Sequence, residues 1–144
     1  RAAEIGVLFR KGDALQQLDS VDVVALDKTG TVTEGRPALT DLVLAEGFDR
    51  PTTLSKIAAV ESLSEHPVAD AIVRAARAEG APLVAAEGFQ SVTGYGVRAV
   101  VEDVEVLVGA DRYMAREGID VSALAPEETK IASKGRTALY AAID

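Results

Sequence analysis

The chain has 144 residues, enough for one ordinary domain or for one small domain plus part of another. Hydrophobic residues make up 48% and aromatic residues only 4%, so a core must be built mostly from Val, Leu, Ile and Ala. A net charge of −8 and the absence of cysteine argue against a nucleic-acid binder, a membrane-surface domain held by lysines, a disulfide framework and a cysteine metal site. An anionic ligand remains open at a local site of backbone N–H groups and a few lysines. No apolar run approaches the roughly 18 residues of a membrane span, and no signal-peptide pattern is present, which reads as a soluble, cytosolic chain.

The ends read as those of a piece of a longer protein: "RAAEIGVLF" opens without Met, and "TALYAAID" is a strand-like run that stops without a turn. The first segment covers residues 1–36. Asp13 can cap a short helix through "ALQQL", and Val21 to Leu26 is apolar except for Asp22. Such a run suggests a strand buried on both faces, as in a parallel α/β sheet. Pro37 begins a second segment, residues 37–144.

That segment opens helical. Thr52 and Thr53 are N-cap candidates, and Leu54, Ile57, Ala58 and Leu63 fall near one face. "SEHP" interrupts. A second helix resumes with Val68, Ala71, Ile72 and Ala75 on a stripe, Pro67 in its first turn and Gly80 as its stop. The rest is mostly β. "LVAAEGFQSV" leads through "TGYG" to a hairpin in which Val97, Ala99 and Val101 face Val104, Val106 and Val108, turning at Glu102-Asp103. Asp111 can cap a helix ended by Gly118, Pro126 opens another that stops at Gly135, and Arg136 to Ile143 is a last strand. The order gives an α+β fold, an antiparallel sheet flanked by helices, preceded by a strand that belongs to another sheet.

"DKTGT" follows the buried run, with Asp27 at a strand's carboxyl end, where reactive sites of open parallel sheets lie. A carboxylate there can attack phosphorus and form an aspartyl-phosphate, with Lys28 and the Thr29–Gly30–Thr31 turn to offset phosphate charge and Mg²⁺ to supply the rest. The bland alternative is an Asx-type turn. The longer string "DKTGTVTEG" resembles the phosphorylation motif of P-type ATPases, members of the haloacid dehalogenase-like superfamily. Many phosphatases of that superfamily carry an acid/base Asp where this chain has Thr29. Without it the phospho-enzyme is not rapidly hydrolysed, which suits a pump.

His66 is the only histidine in the chain. A lone His is commonly a polar or core residue, yet this one lies in a break between helices, and Glu61 precedes it by five positions. An imidazole can stack on a base and donate a hydrogen bond. "ESLSEHP" resembles the nucleotide-binding motif of heavy-metal-transporting (type IB) P-type ATPases, in which the His orients the nucleotide and the Glu contacts adenine. The Gly94-x-Gly96 pair in "TGYGV" reads equally as a hairpin loop needing φ > 0 and as a place where phosphates approach backbone. The resemblance implies that Gly94 and Gly96 line the nucleotide pocket. In "LVGADRYM" it implies the same for Gly109, but Ala110 stands where the family often has Asn. Either Asp111 compensates or affinity falls. Lys130, Lys134 and Arg136 read as solvated basic residues rather than ATP contacts.

The resemblance covers the whole chain, and "GVLFRKGDALQ" is closer to the copper branch than to the zinc/cadmium branch. It implies a nucleotide-binding domain preceded by the first strand of a haloacid dehalogenase-like α/β phosphorylation domain. The expected function is ATP binding within a cytosolic part of an integral membrane pump, in a bacterial inner or plasma membrane, that exports copper or another heavy metal. The expected cofactors are ATP and Mg²⁺, the latter near Asp27 in the intact pump and not held by this chain alone. "TGD" and "GDGxND" do not occur, so the chain alone is expected to bind ATP without turnover. Its partners would be the remaining phosphorylation domain and the actuator and transmembrane domains of the same pump, with no nucleic acid. A soluble phosphohydrolase of the same superfamily with a cap domain is the alternative, and a non-catalytic interaction domain is a third.

Overall fold

A computed structural model describes residues 36–144. Arg36–Asp144 form one compact unit. The helix and strand expected at Asp13 and at Val21 to Leu26 lie outside the described residues, as do Asp27, Lys28 and Thr29.

Helix α1 (Arg50–Glu61) begins earlier than the sequence suggests. Asp49, not Thr52 or Thr53, is the N-cap: its carboxylate accepts the Thr52 N–H at 3.0 Å. An aspartate two residues before Pro51 outcompetes the threonines because it adds charge to the cap, and Pro51 tolerates the first turn, where its missing N–H has no partner to lose. Leu54, Ile57 and Ala58 are buried as expected, but Leu63 falls past the helix end and is exposed. Helix α2 (Pro67–Ala78) is capped by His66, carries Asp70 in its first turn and Arg77 in its last, and buries Ala69, Ile72, Val73 and Ala76. Those charges complement the helix dipole. Gly80, at φ +71°, ends the helix as expected.

The sheet is four-stranded and antiparallel, in the order β1 (Ala86–Val92), β2 (Gly96–Val101), β3 (Val104–Gly109), β4 (Tyr140–Ile143). The β2–β3 turn uses Glu102 and Asp103, both at positive φ (52° and 63°), the backbone that a two-residue hairpin requires. Gly88, at φ +64°, lies within a register shift of β1 between Glu87 and Gln90. That bulge lets Phe89 pack against the main core.

One face of the sheet presents Val97, Ala99, Val101, Val106 and Val108 to Leu54, Val60 and Ile72 of the helices. The other face carries Leu107, which packs with Tyr140 and with Tyr113 and Met114 of helix α3 (Asp111–Arg116). β3 is therefore buried on both sides at Val106, Leu107 and Val108.

Two local expectations are corrected, and a third is borne out. Asp111 does not cap α3: Ala110 occupies the N-cap, and the Asp111 carboxylate accepts the Arg112 N–H at 2.7 Å inside the first turn. The last strand pairs only from Tyr140. Residues 136–139 stay outside the ladder, where Arg136 forms an ion pair with Asp41 at 2.6 Å. Helix α4 (Ala125–Ser133) has Pro126 in its first turn but buries none of its residues, so it decorates the fold rather than building the core. Among the described residues no helix is long and apolar enough to cross a membrane.

Candidate functional site

The expected binding residues lie at the last position of α1 (Glu61), at the N-cap of α2 (His66), in the β1–β2 turn (Gly94) and at the paired ends of β2 and β3 (Gly96 and Gly109). Lys56, midway along α1, reaches the β2–β3 turn, with its ammonium 2.9 Å from Glu102 and 3.5 Å from the Val101 carbonyl. From there α1 runs away from that turn. Its last residue is Glu61.

Glu61 is only 6% exposed, although it closes the helix. Burial pushes its carboxyl up from the ordinary 4.5 to about 7. Near neutral pH the group is thus poised between a carboxylate, which only accepts, and a carboxylic acid, which also donates. His66 is exposed and already committed on one side: its Nδ1 accepts the Val68 N–H at 3.2 Å, and its own backbone N–H donates to Ser64 Oγ at 3.3 Å. A neutral ring that accepts at Nδ1 carries its proton on Nε2, so the cap fixes the tautomer and leaves an outward donor.

The glycines divide into two kinds. Gly94, at φ +77°, has open space where a Cβ would stand and serves the turn conformation. Gly96 and Gly109 face each other across β2 and β3. A Cβ on Gly96 would lie 2.1 Å from the Val108 carbonyl oxygen and 2.9 Å from the Tyr113 ring; one on Gly109 would lie 2.4 Å from the Tyr95 carbonyl oxygen. Close backbone approach beneath an aromatic ring therefore explains both glycines before any ligand is invoked. Ala110 sits beside them, and its N–H donates to the Tyr95 carbonyl at 3.2 Å.

The sequence reading missed the side chains that support this turn. Arg112 Nε donates to the Gly94 carbonyl at 2.8 Å. The Arg116 guanidinium lies 4.9 Å from the Tyr95 ring centroid. The Tyr95 ring in turn lies 6.2 Å from that of Tyr113, tilted at 57°. The one available signal was the spacing of Arg112 and Arg116 on a single helix face; their partners are a backbone carbonyl and a ring on a distant turn, which no local pattern reveals.

This arrangement offers an acidic group out of water, an outward ring N–H and a glycine turn. It suits a flat heteroaromatic ligand with polar edges and an anionic tail. It contains no paired nucleophile and base. Among the described residues no group of three or more His, Asp or Glu side chains is placed to hold a metal ion. Two cavities lie elsewhere. One of about 260 Å³ is lined by Thr52, Ser55, Lys56 and Glu102, at the far end of α1, and one of about 320 Å³ is lined by Leu107, Ile119 and Ala142 beside β4. Neither is lined by Glu61, His66, Gly94, Gly96 or Gly109.

Comparison with known proteins places the chain. A family model for haloacid dehalogenase-like hydrolases matches residues 21–144. Copper-transporting ATPase 2 of Rhizobium meliloti (strain 1021) is 55% identical over 144 residues, covering 100% of this chain and 17% of that protein. The chain thus spans about a sixth of the length of such relatives. The crystal structure of a zinc-transporting PIB-type ATPase in the E2.Pi state is 35% identical, with a TM-score of 0.84 over 99% of this chain and 23% of that one. The N-domain of HMA6, a copper-transporting P-type ATPase, is 32% identical, with a TM-score of 0.56 over 69% of this chain and 83% of that one.

Proposed function

Because the chain belongs to the heavy-metal-transporting P-type ATPases, within the haloacid dehalogenase-like hydrolases, we propose that it is the ATP-binding segment of a copper pump, preceded by the pump's phosphorylation motif. The observation that carries this reading is the similarity to a copper-transporting ATPase along the entire chain. The geometry at the sheet end supports the nucleotide part. Adenine would sit against Glu61 and His66, its amino group donating to the Glu61 carboxyl and its ring facing the imidazole, whose Nε2–H donates outward. Gly94, Gly96 and Gly109 would line the pocket on the side of the phosphates.

In the intact pump the γ-phosphoryl group passes to the carboxylate of Asp27. An O–P bond forms to the aspartate, the bond to the β-phosphate oxygen breaks, and ADP leaves. Lys28 offsets the phosphate charge, and Thr29, lacking an acidic side chain, leaves no acid/base to speed hydrolysis. Mg²⁺ would neutralise the transferring phosphoryl group. The aspartyl-phosphate then drives the membrane domain, so the segment works as a cytosolic part of an integral membrane protein, with the remaining phosphorylation, actuator and transmembrane domains as its partners. The soluble phosphohydrolase considered above is not favoured, since the relatives over the full chain are pumps.

Titration of the isotope-labelled chain with ATP tests the binding step. Saturable shifts of the His66 ring and of the Gly94 and Gly96 amides are expected; none at any of the three would overturn the reading.

A further inference from the structure

The turn Thr93 to Gly96 contains two glycines, and Gly94 has open space around it. Left to itself, such a segment samples many backbone states, and a ligand that needs one of them must bear the ordering cost on binding. Here the turn is held from one side by helix α3 and the residue before it. Arg112 Nε grips the Gly94 carbonyl at 2.8 Å, the Ala110 N–H grips the Tyr95 carbonyl at 3.2 Å, and Arg116 covers the Tyr95 ring at 4.9 Å. Tyr113 backs the same turn from below, occupying the space over Gly96 and Gly109.

We propose that Arg112 is a positioning residue for the nucleotide: it fixes the Gly94–Gly96 turn in its binding conformation before ATP arrives. Three features favour Arg112 in this role. Its bond is to the turn's backbone, so it constrains conformation rather than packing. The bond is charge-assisted, hence stronger than a neutral one. And the side chain is exposed, so its loss removes the clasp without opening the core. The inference rests on the nucleotide reading above.

The test compares the chain with R112A and R112K by calorimetric titration with ATP, by melting without nucleotide, and by backbone order parameters of Gly94 to Gly96. R112A is expected to bind ATP about tenfold more weakly, the scale of one hydrogen bond to a charged group. Its turn should show lower order parameters, with the melting temperature of the free chain shifted by only about 3 °C or less. R112K should recover part of the affinity, because an ammonium can still donate one bond to the Gly94 carbonyl. Equal ATP affinity in R112A and the parent chain overturns the inference, as does an unchanged order of the turn. Should R112A fail to fold, R112M, which keeps an unbranched stem but has no donor for the Gly94 carbonyl, decides: weakened ATP binding with a less ordered turn supports the inference, and parent-like affinity with an unaltered turn overturns it. Absence of ATP binding by the parent chain would sink the nucleotide reading itself, a result distinct from any of these.

Discussion

Glu61 shows how a single residue couples the site to stability. The family resemblance marks it as a base contact, but nothing in the local pattern indicates that the side chain is 6% exposed at a helix end. That burial follows from the end of α1 tucking over the sheet, a tertiary fact that no helical period encodes. Its consequence has a definite sign. The carboxyl titrates near its ordinary 4.5 when unfolded and at about 7 when folded. Below both values it is protonated in either state and contributes no slope. Between them the folded chain binds the extra proton, so stability falls as pH rises through that window, and above it the fold must bury a charge. The full effect is on the order of 3 kcal/mol. Denaturant unfolding at about pH 5 and about pH 8 should show the parent chain losing stability. Glu61→Gln, which keeps the shape and removes the titration, should flatten that loss; an equal loss in both chains would refute the assignment. Gly96 and Gly109 teach the complementary lesson. Their positions were legible as special, yet the immediate cause is a cross-strand backbone contact under Tyr113, which requires knowing that β2 and β3 pair in that register.

At the scale of elements, the interruption "SEHP" separates two helices as the sequence implies, and His66 has a structural task there. It caps α2 through Nδ1. Helix ends are decided by competition among nearby polar groups, which is why Asp49 displaced Thr52 at α1 while the histidine won at α2 for lack of a better acceptor beside Pro67. The last strand was overestimated for a related reason: "RTAL" has strand-like composition, but β3 offers partners only to Tyr140–Ile143. Capping and ligand contact at His66 can be separated. His66→Asn keeps a side-chain acceptor for the Val68 N–H and removes the ring, whereas His66→Ala removes both. Thermal melting should place the asparagine variant close to the parent chain and the alanine variant about 1 kcal/mol lower. ATP titration should find both weakened. Parent-like affinity in His66→Asn would show that the ring's contribution is the cap alone.

At the scale of the whole molecule, the core explains why the segment can stand apart from the chemistry it serves. β3 is sandwiched between the α1/α2 layer on one face and Tyr113, Met114 and Tyr140 on the other. The valine alternation of β2 and β3 announced the first of these layers. The second was hidden, because Leu107 shares its strand face with Glu105 and so resembles a half-exposed position until α3 is seen to cover it. A unit built this way is expected to fold without residues 1–35, and the nucleotide contacts proposed for it all lie inside it. Asp27, the proposed phosphate acceptor, precedes it in sequence. Binding and phosphoryl transfer are then separable along the chain. A polypeptide of residues 36–144 should melt cooperatively and bind ATP within about threefold of the 144-residue chain, a difference of roughly 0.7 kcal/mol. Calorimetry on the two chains measures this directly. A shortened chain that is folded yet fails to bind would mean that the phosphorylation motif contributes to the nucleotide site, and the adenine pocket would have to be redrawn to include it.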